Sequence, residues 1–173
     1  RRAASLRTSR SGIIGVVVHD IMNPFFAEIL LAIEDELGAS RQTFLLCNHR
    51  DDIAIQTDFI DTLLQFGADG VILSPAIGTT AADIDKIEQN GLPVVMIARH
   101  VPGCHVPVFR GDDKQGIYMA TSHLLELGHR EIAYIGGRRE TSTGRDRREG
   151  YLSAMHEHGI EPEAAWQIGS EST

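Results

Sequence analysis

The stretch HDIMNPFF, residues 19–26, follows a run of β-branched residues and sets an amide, Asn23, beside two aromatic rings, Phe25 and Phe26. Flat apolar rings stack on the C–H face of a sugar or on a purine. The amide adds donors and an acceptor. Two arginines stand in comparable places: Arg99 follows the apolar run PVVMIA, and Arg147 opens a helical segment in the second half. A guanidinium fork holds hydroxyls and carboxylates through paired hydrogen bonds. Aromatic walls with a few convergent polar groups are what a small-molecule cleft requires. Each residue also has an ordinary reading, at least one phenylalanine as core and either arginine as a surface charge. Their shared location where strands end favours reading them together.

The remaining polar residues do not assemble into catalytic chemistry. There is no G-x-S-x-G nucleophile turn. No histidine pair has metal-ligand spacing with a glutamate between. His156 and His158 flank Glu157, but i and i+2 on a helix point apart. His123 and His129 stand six residues apart across a helix end. Asp112 and Asp113 are adjacent acids at a helix start, where the helix dipole favours them. HDIMNPFF carries no glycine, and the glycines of IGGRRETSTG fit neither nucleotide-binding spacing. The expectation is therefore a binding protein with no catalytic residue, no metal and no cofactor.

These residues need a scaffold, and 173 residues suffice for one domain or slightly more. The hydrophobic share of 42% and charged share of 23% suit a globular chain. No apolar run reaches bilayer length. Cys47 and Cys104 are too few for a disulfide framework, so a reducing cytoplasm is the simpler reading. The chain has 16 basic and 24 acidic residues, a net charge of −8. Arg1, Arg2, Arg7 and Arg10 all fall in the leader RRAASLRTSR, which leaves 12 basic against 24 acidic residues in the body. An acidic body repels phosphate, so only the leader has the sign for nucleic acid. Composition alone reads that leader as a solvated basic tail.

The pattern beyond it alternates. Strands are expected at 12–19, 43–48, 69–74, 93–98, near 106–109 and at 131–137. Helices are expected at 23–39, 53–67, 79–91, 113–128 and 145–159. Asn23 can cap the first helix, with Pro24 at its first position and Gly38 as its stop. Strands alternating with helices give an α/β fold, a parallel sheet covered on both faces with right-handed crossovers. Ligands in such sheets bind beyond the carboxyl ends of the strands. The chain stops at WQIGSEST, soon after a helix, where another strand is due.

Five segments, in order, resemble the lactose-repressor (LacI/GalR) family of transcription regulators: IIGVVVHDIMNPFFAEILLAIEDEL, FGADGVILSP, GLPVVMIAR, HLLELGHREIAYIGG and STGRDRREGYLSAM. The resemblance covers nearly the whole chain. It implies a periplasmic-binding-protein-like fold, two α/β lobes with a cleft between them. Residues 1–11 would be the hinge to a helix-turn-helix domain, 12–110 the N-terminal lobe, and 111–173 the crossover into an incomplete C-terminal lobe. Asn23, Phe25, Phe26, Arg99 and Arg147 map onto effector-contacting positions, and Thr143 joins them facing the cleft. AASLRTSRSGIIG is similar to the hinge helix, so Leu6 and Arg7 become candidate DNA contacts, the leucine as a minor-groove wedge. This replaces the reading of the leader as a tail.

The implied partners are a small-molecule effector, a sugar or related metabolite; operator DNA, through the hinge and a helix-turn-helix; and a second copy of the chain in a homodimer. No membrane is implied. A periplasmic sugar receptor would share the cleft but has no reason to carry AASLRTSRS. Two departures stand out. The family often has aspartate where this chain has Ala98, and asparagine where it has Asp113, for which a local capping effect is expected.

Overall fold

The computed structural model describes residues 10–169. Leu6 and Arg7, the candidate hinge contacts, lie outside the described residues. The chain forms two compact units that divide between Phe109 and Arg110.

The first unit is built on β1 (Ile13–Val18), β2 (Thr43–Asn48), β3 (Gly70–Leu73), β4 (Val94–Ile97) and β5 (Val108–Phe109), in the order β2-β1-β3-β4-β5. Every pairing is parallel. Three helices connect the strands: α1 (Pro24–Ala39), α2 (Ile53–Phe66) and α3 (Ala81–Gln89). β1 is central and its last three residues are fully buried. Because side chains alternate along a strand, Val17 packs with Ile60 and Leu63 of α2 and Ile84 and Ile87 of α3. Val16 and Val18 point the other way, into a cluster with Phe26, Ile29 and Ile33 of α1. Coverage on both faces is why β1 reads as a continuous run without polar residues. Gly15 supports this packing: a Cβ there would stand 2.1 Å from the Leu63 side chain.

Capping sets the helix starts. The Asn23 side chain accepts from the Phe25 N–H at 3.1 Å, with Pro24 following it at the helix start, as expected. Thr80 and Asp83 form a reciprocal capping box for α3. Gly38 does not stop α1. The helix runs through Ala39, and the left-handed turn falls at Arg41, φ 56°.

The second unit holds α4 (Asp113–Glu126), β6 (Tyr134–Gly136), α5 (Ser142–Glu157) and β7 (Gln167–Gly169), with β6 and β7 parallel. β7 is the strand due near the end of the chain. β6 is shorter than the expected 131–137, because β7 pairs only with 134–136. α5 starts three residues earlier than expected. Thr141 caps it by accepting from the Gly144 N–H at 3.0 Å, drawing STG into the first turn. Tyr151, Ala154 and Met155 of α5 pack on Leu125 of α4 and on Ile132. The buried Tyr151 hydroxyl donates to the Ile132 carbonyl at 2.8 Å, so burial leaves it satisfied.

The α4–α5 contact depends on Gly150, where a Cβ would stand 2.2 Å from the Lys114 carbonyl oxygen. Gly116, also helical, has nothing within 4 Å of a built Cβ. Gly150→Ala should therefore destabilise by about 1–3 kcal/mol through overpacking. Gly116→Ala should stabilise by about 0.5–1 kcal/mol through helix propensity. Urea denaturation of the two variants against the parent checks both signs.

Candidate functional site

The sheet order reverses at β1, with β2 on one side and β3 on the other. Loops leaving strands at such a point diverge and open a crevice at their carboxyl ends. The residues delivered there are His19 after β1, His49 and Asp51 after β2, Ser74 after β3 and Arg99 after β4. His49 and Ser74 are fully buried and His19 nearly so. His49 Nε2 stands 2.9 Å from the Ser74 carbonyl oxygen, and its Nδ1 accepts from the Asp51 N–H at 3.1 Å. That pair of bonds requires the proton on Nε2, so the ring is neutral and its tautomer is set. His19 Nδ1 lies 3.4 Å from the Ser74 hydroxyl.

Arg99 is 3% exposed and forms a fork-to-fork pair with Asp51. Nη1 donates to Oδ1 and Nη2 to Oδ2 at 3.2 Å. Nη1 also donates to the Pro75 carbonyl at 3.3 Å. The backbone that delivers this pair is strained. Arg50 and Asp51 have φ of 51° and 62°, and Ala98 has φ of 59°. Such conformations cost about 1–3 kcal/mol each and persist only where surroundings impose them. Gln56 secures the adjoining loop: its Oε1 accepts from the Ala76 N–H at 2.7 Å and its Nε2 donates to Thr79 Oγ1 at 3.0 Å.

The electrostatics follow from burial. Desolvation, helped by the Arg99 charge, lowers the His19 pKa to about 4. Burial also lowers the His49 pKa, outweighing its bond to the Ser74 carbonyl. For Asp51, burial pushes upward, but the Arg99 hydrogen bond and charge outweigh it and leave the pKa below the ordinary value. Near neutral pH the cluster thus holds two uncharged imidazoles, one carboxylate and one guanidinium.

Phe26 is 1% exposed and belongs to the core between α1 and the sheet, while Phe25 is 53% exposed. Their rings meet edge-on at 5.2 Å, and Phe26 meets His19 edge-on at 4.7 Å. Of the expected pair of aromatic faces, Phe25 is the open one and Phe26 backs His19. A continuous path of contacts thus runs from Phe25 through Phe26, His19, Ser74, His49 and Asp51 to Arg99. Arg99 is no surface charge. In the second unit, Thr143 lies in the first turn of α5, its hydroxyl 3.3 Å from that of Thr141. Arg147 Nε donates to Asp113 Oδ1 at 2.6 Å. This corrects the expectation for Asp113: Asp112 caps α4, accepting from the Gln115 N–H at 3.0 Å, and Asp113 anchors Arg147.

Sequence reasoning missed His19, His49, Asp51 and Ser74. A signal existed for the histidines, His19 closing the first expected strand and His49 directly following the second. None marked Asp51, which depends on two consecutive left-handed residues. Among the described residues, no three His, Cys, Asp or Glu side chains are placed to hold a metal ion, and no helix is long and apolar enough to cross a membrane.

Residues 11–171 match the family described as periplasmic binding proteins and sugar binding domain of the LacI family. The chain belongs to that family. It is 35% identical over 158 residues to the ribose operon repressor of Halalkalibacterium halodurans, covering 91% of this chain and 46% of that protein. It is 31% identical over 174 residues to the maltose regulon regulatory protein MalI of Escherichia coli, covering 100% of this chain and 51% of that protein. The LacI-family chain thus spans about half the length of the curated relatives it matches. A periplasmic binding protein/LacI transcriptional regulator from Alkaliphilus metalliredigens, solved in complex with D-xylulofuranose, superposes with a TM-score of 0.82 at 26% identity, covering 94% of this chain and 58% of that one. The α/β architecture with parallel sheets agrees with that relationship.

His19 makes stability depend on pH with a definite sign. Its folded pKa is depressed, so its contribution is complete above the unfolded value of 6.5 and is lost as pH falls toward about 4. Facing charges are Arg99 and Asp51, with Asp20 and His49 nearby. Between pH 6.5 and 4 the loss should be on the order of 3 kcal/mol. Denaturant titrations across this window should show the decline, with a shallower slope in His19→Gln.

Proposed function

We propose that the chain is the effector-sensing part of a ligand-responsive transcriptional regulator, most simply a repressor, that works in the cytoplasm as a homodimer. The ligand is a small metabolite, a sugar or sugar derivative. Asn23, Phe25 and Arg99 contact it from the first unit, Phe26 backs that face from the core instead of touching the ligand as expected, and Thr143 and Arg147 contact it from the second. The observation that supports this most is the path of contacts from the exposed Phe25 ring to the buried Arg99 fork, lying along the strand exits. It combines an apolar face with fixed polar groups, as small-molecule sites do. The relatives are named as operon and regulon regulators, which favours this reading over a transport receptor.

A ligand shifts such a protein only by binding one state better than another. In this proposal the state it selects alters how the hinge, including Leu6 and Arg7, engages operator DNA. Leu6 is suited to wedge into a minor groove and Arg7 to neutralise phosphate. Asp113 serves as the positioning residue for Arg147, since the 2.6 Å bond to Nε fixes the plane of the guanidinium.

Two measurements test the proposal in the full-length protein. Arg147→Ala should weaken the effector by about 10–100-fold, the worth of a charged hydrogen bond. Calorimetry should show this while the melting temperature without ligand stays within a few degrees. Unchanged affinity refutes the role. Separately, saturating effector should change operator affinity by about 5–150-fold, and operator should change effector affinity by the same factor. Fluorescence anisotropy on labelled DNA measures the first and titration calorimetry the second.

A further inference from the structure

The strand-exit cluster in the first unit has a charge balance that bears on the chemical class of ligand. Arg99 is its guanidinium, and Asp51 already occupies it through two hydrogen bonds. His49 is held neutral by donating to the Ser74 carbonyl and accepting from the Asp51 N–H. Ser74 and Asn23 are uncharged. Asp51 is not an incidental neighbour, because three consecutive features place it. Arg50 and Asp51 both adopt left-handed backbone conformations, and the Asp51 N–H is tied to His49. Across from it, Ala98 is also left-handed, and the Arg99 N–H donates to the Ile97 carbonyl at 2.6 Å, which turns the chain sharply at the end of β4. Two strained turns thus converge on one ion pair. Observed strain of this kind is a pointer to a functional geometry.

Resting on the reading of these strand exits as a ligand site, we infer that Asp51 is a specificity-determining residue and that the Asp51–Arg99 pair selects an uncharged polyhydroxyl ligand against its phosphorylated or carboxylated counterpart. A carboxylate accepts hydrogen bonds only and a guanidinium donates only. Side by side they match a hydroxyl group, which does both, at no net charge. An anionic ligand meets a different site. The guanidinium is already engaged, and the Asp51 carboxylate repels a second negative charge in a region shielded from water. Like charges brought together in such surroundings are strongly disfavoured. Ala98 supplies no acceptor of its own, so the carboxylate of this cluster comes from the β2 exit and not from the β4 exit.

The test uses matched sugar pairs with the full-length protein: D-ribose with D-ribose 5-phosphate, D-fructose with D-fructose 1-phosphate, and D-glucose with D-gluconate, by thermal shift and then titration calorimetry. For the pair that binds, the uncharged member should bind at least about tenfold tighter than the anion. Asp51→Asn keeps an oxygen for Arg99 but frees its charge, and should narrow or invert that ratio by at least about tenfold. Asp51→Glu should keep the parent's preference. The parent protein alone carries the decisive comparison, so the test survives a variant that fails to fold. Tighter binding of the anion to the parent, or an unchanged ratio in Asp51→Asn, overturns the inference while leaving the sugar-sensing proposal standing. If no member of any pair binds, the reading of the strand exits as a sugar site falls, and this inference falls with it.

Discussion

A β-strand buried on both faces is the constraint on which the first unit depends. β1 has no solvent side, so each of its side chains must find apolar partners from a helix, and α1 on one face and α2 with α3 on the other provide them. Here the helices reach both faces through crossovers that leave every strand parallel. Parallel strands end on the same side. The groups at those ends are therefore gathered by the same requirement that buries the core. His19, His49, Ser74 and Arg99 come from four separate strands and meet because β1 cannot stay exposed.

Gathering polar groups at the edge of an apolar core has a cost. Arg99 at 3% exposure needs a partner. A buried charge is tolerated only when paired and hydrogen-bonded. Asp51 meets that need, but only through backbone that is itself strained. The histidines respond to the same surroundings by staying neutral, and burial drives both pKa values down. The result is a set of groups that are polar, directional and close to neutral in sum. In the second unit the same logic works more loosely. Arg147 is partly exposed, and its pairing with Asp113 orients it without a heavy desolvation penalty.

The family relationship and the structure bear on different questions. The relationship gives the fold and the kind of protein in which this domain occurs. The structure describes local features of this chain: the neutral His49 between a carbonyl and an amide, the left-handed Ala98, and a carboxylate that reaches Arg99 from the loop after β2. Function on a shared fold lives in such local geometry.

Periodicity and capping signals were enough to read most elements from the residues alone. Asn23 before Pro24 announced α1, and the unbroken GIIGVVV run announced a strand covered on both sides. Boundaries slipped where a partner decided them, as at β6, which ends where β7 stops pairing, and at α5, where Thr141 recruited an extra turn. The aromatic pair and Arg99 were visible because their types and their place after strands were local facts. Asp51 and Asp113 were not, because an ion pair is a statement about two distant segments. Residues 51 and 99 are 48 positions apart, and 113 and 147 are 34 apart. Local sequence determined what each segment can be, since propensity and alternation act over a few residues. Only the tertiary structure decided which charges meet and which imidazoles stay neutral, since desolvation and Coulomb forces depend on distances that the chain acquires by folding.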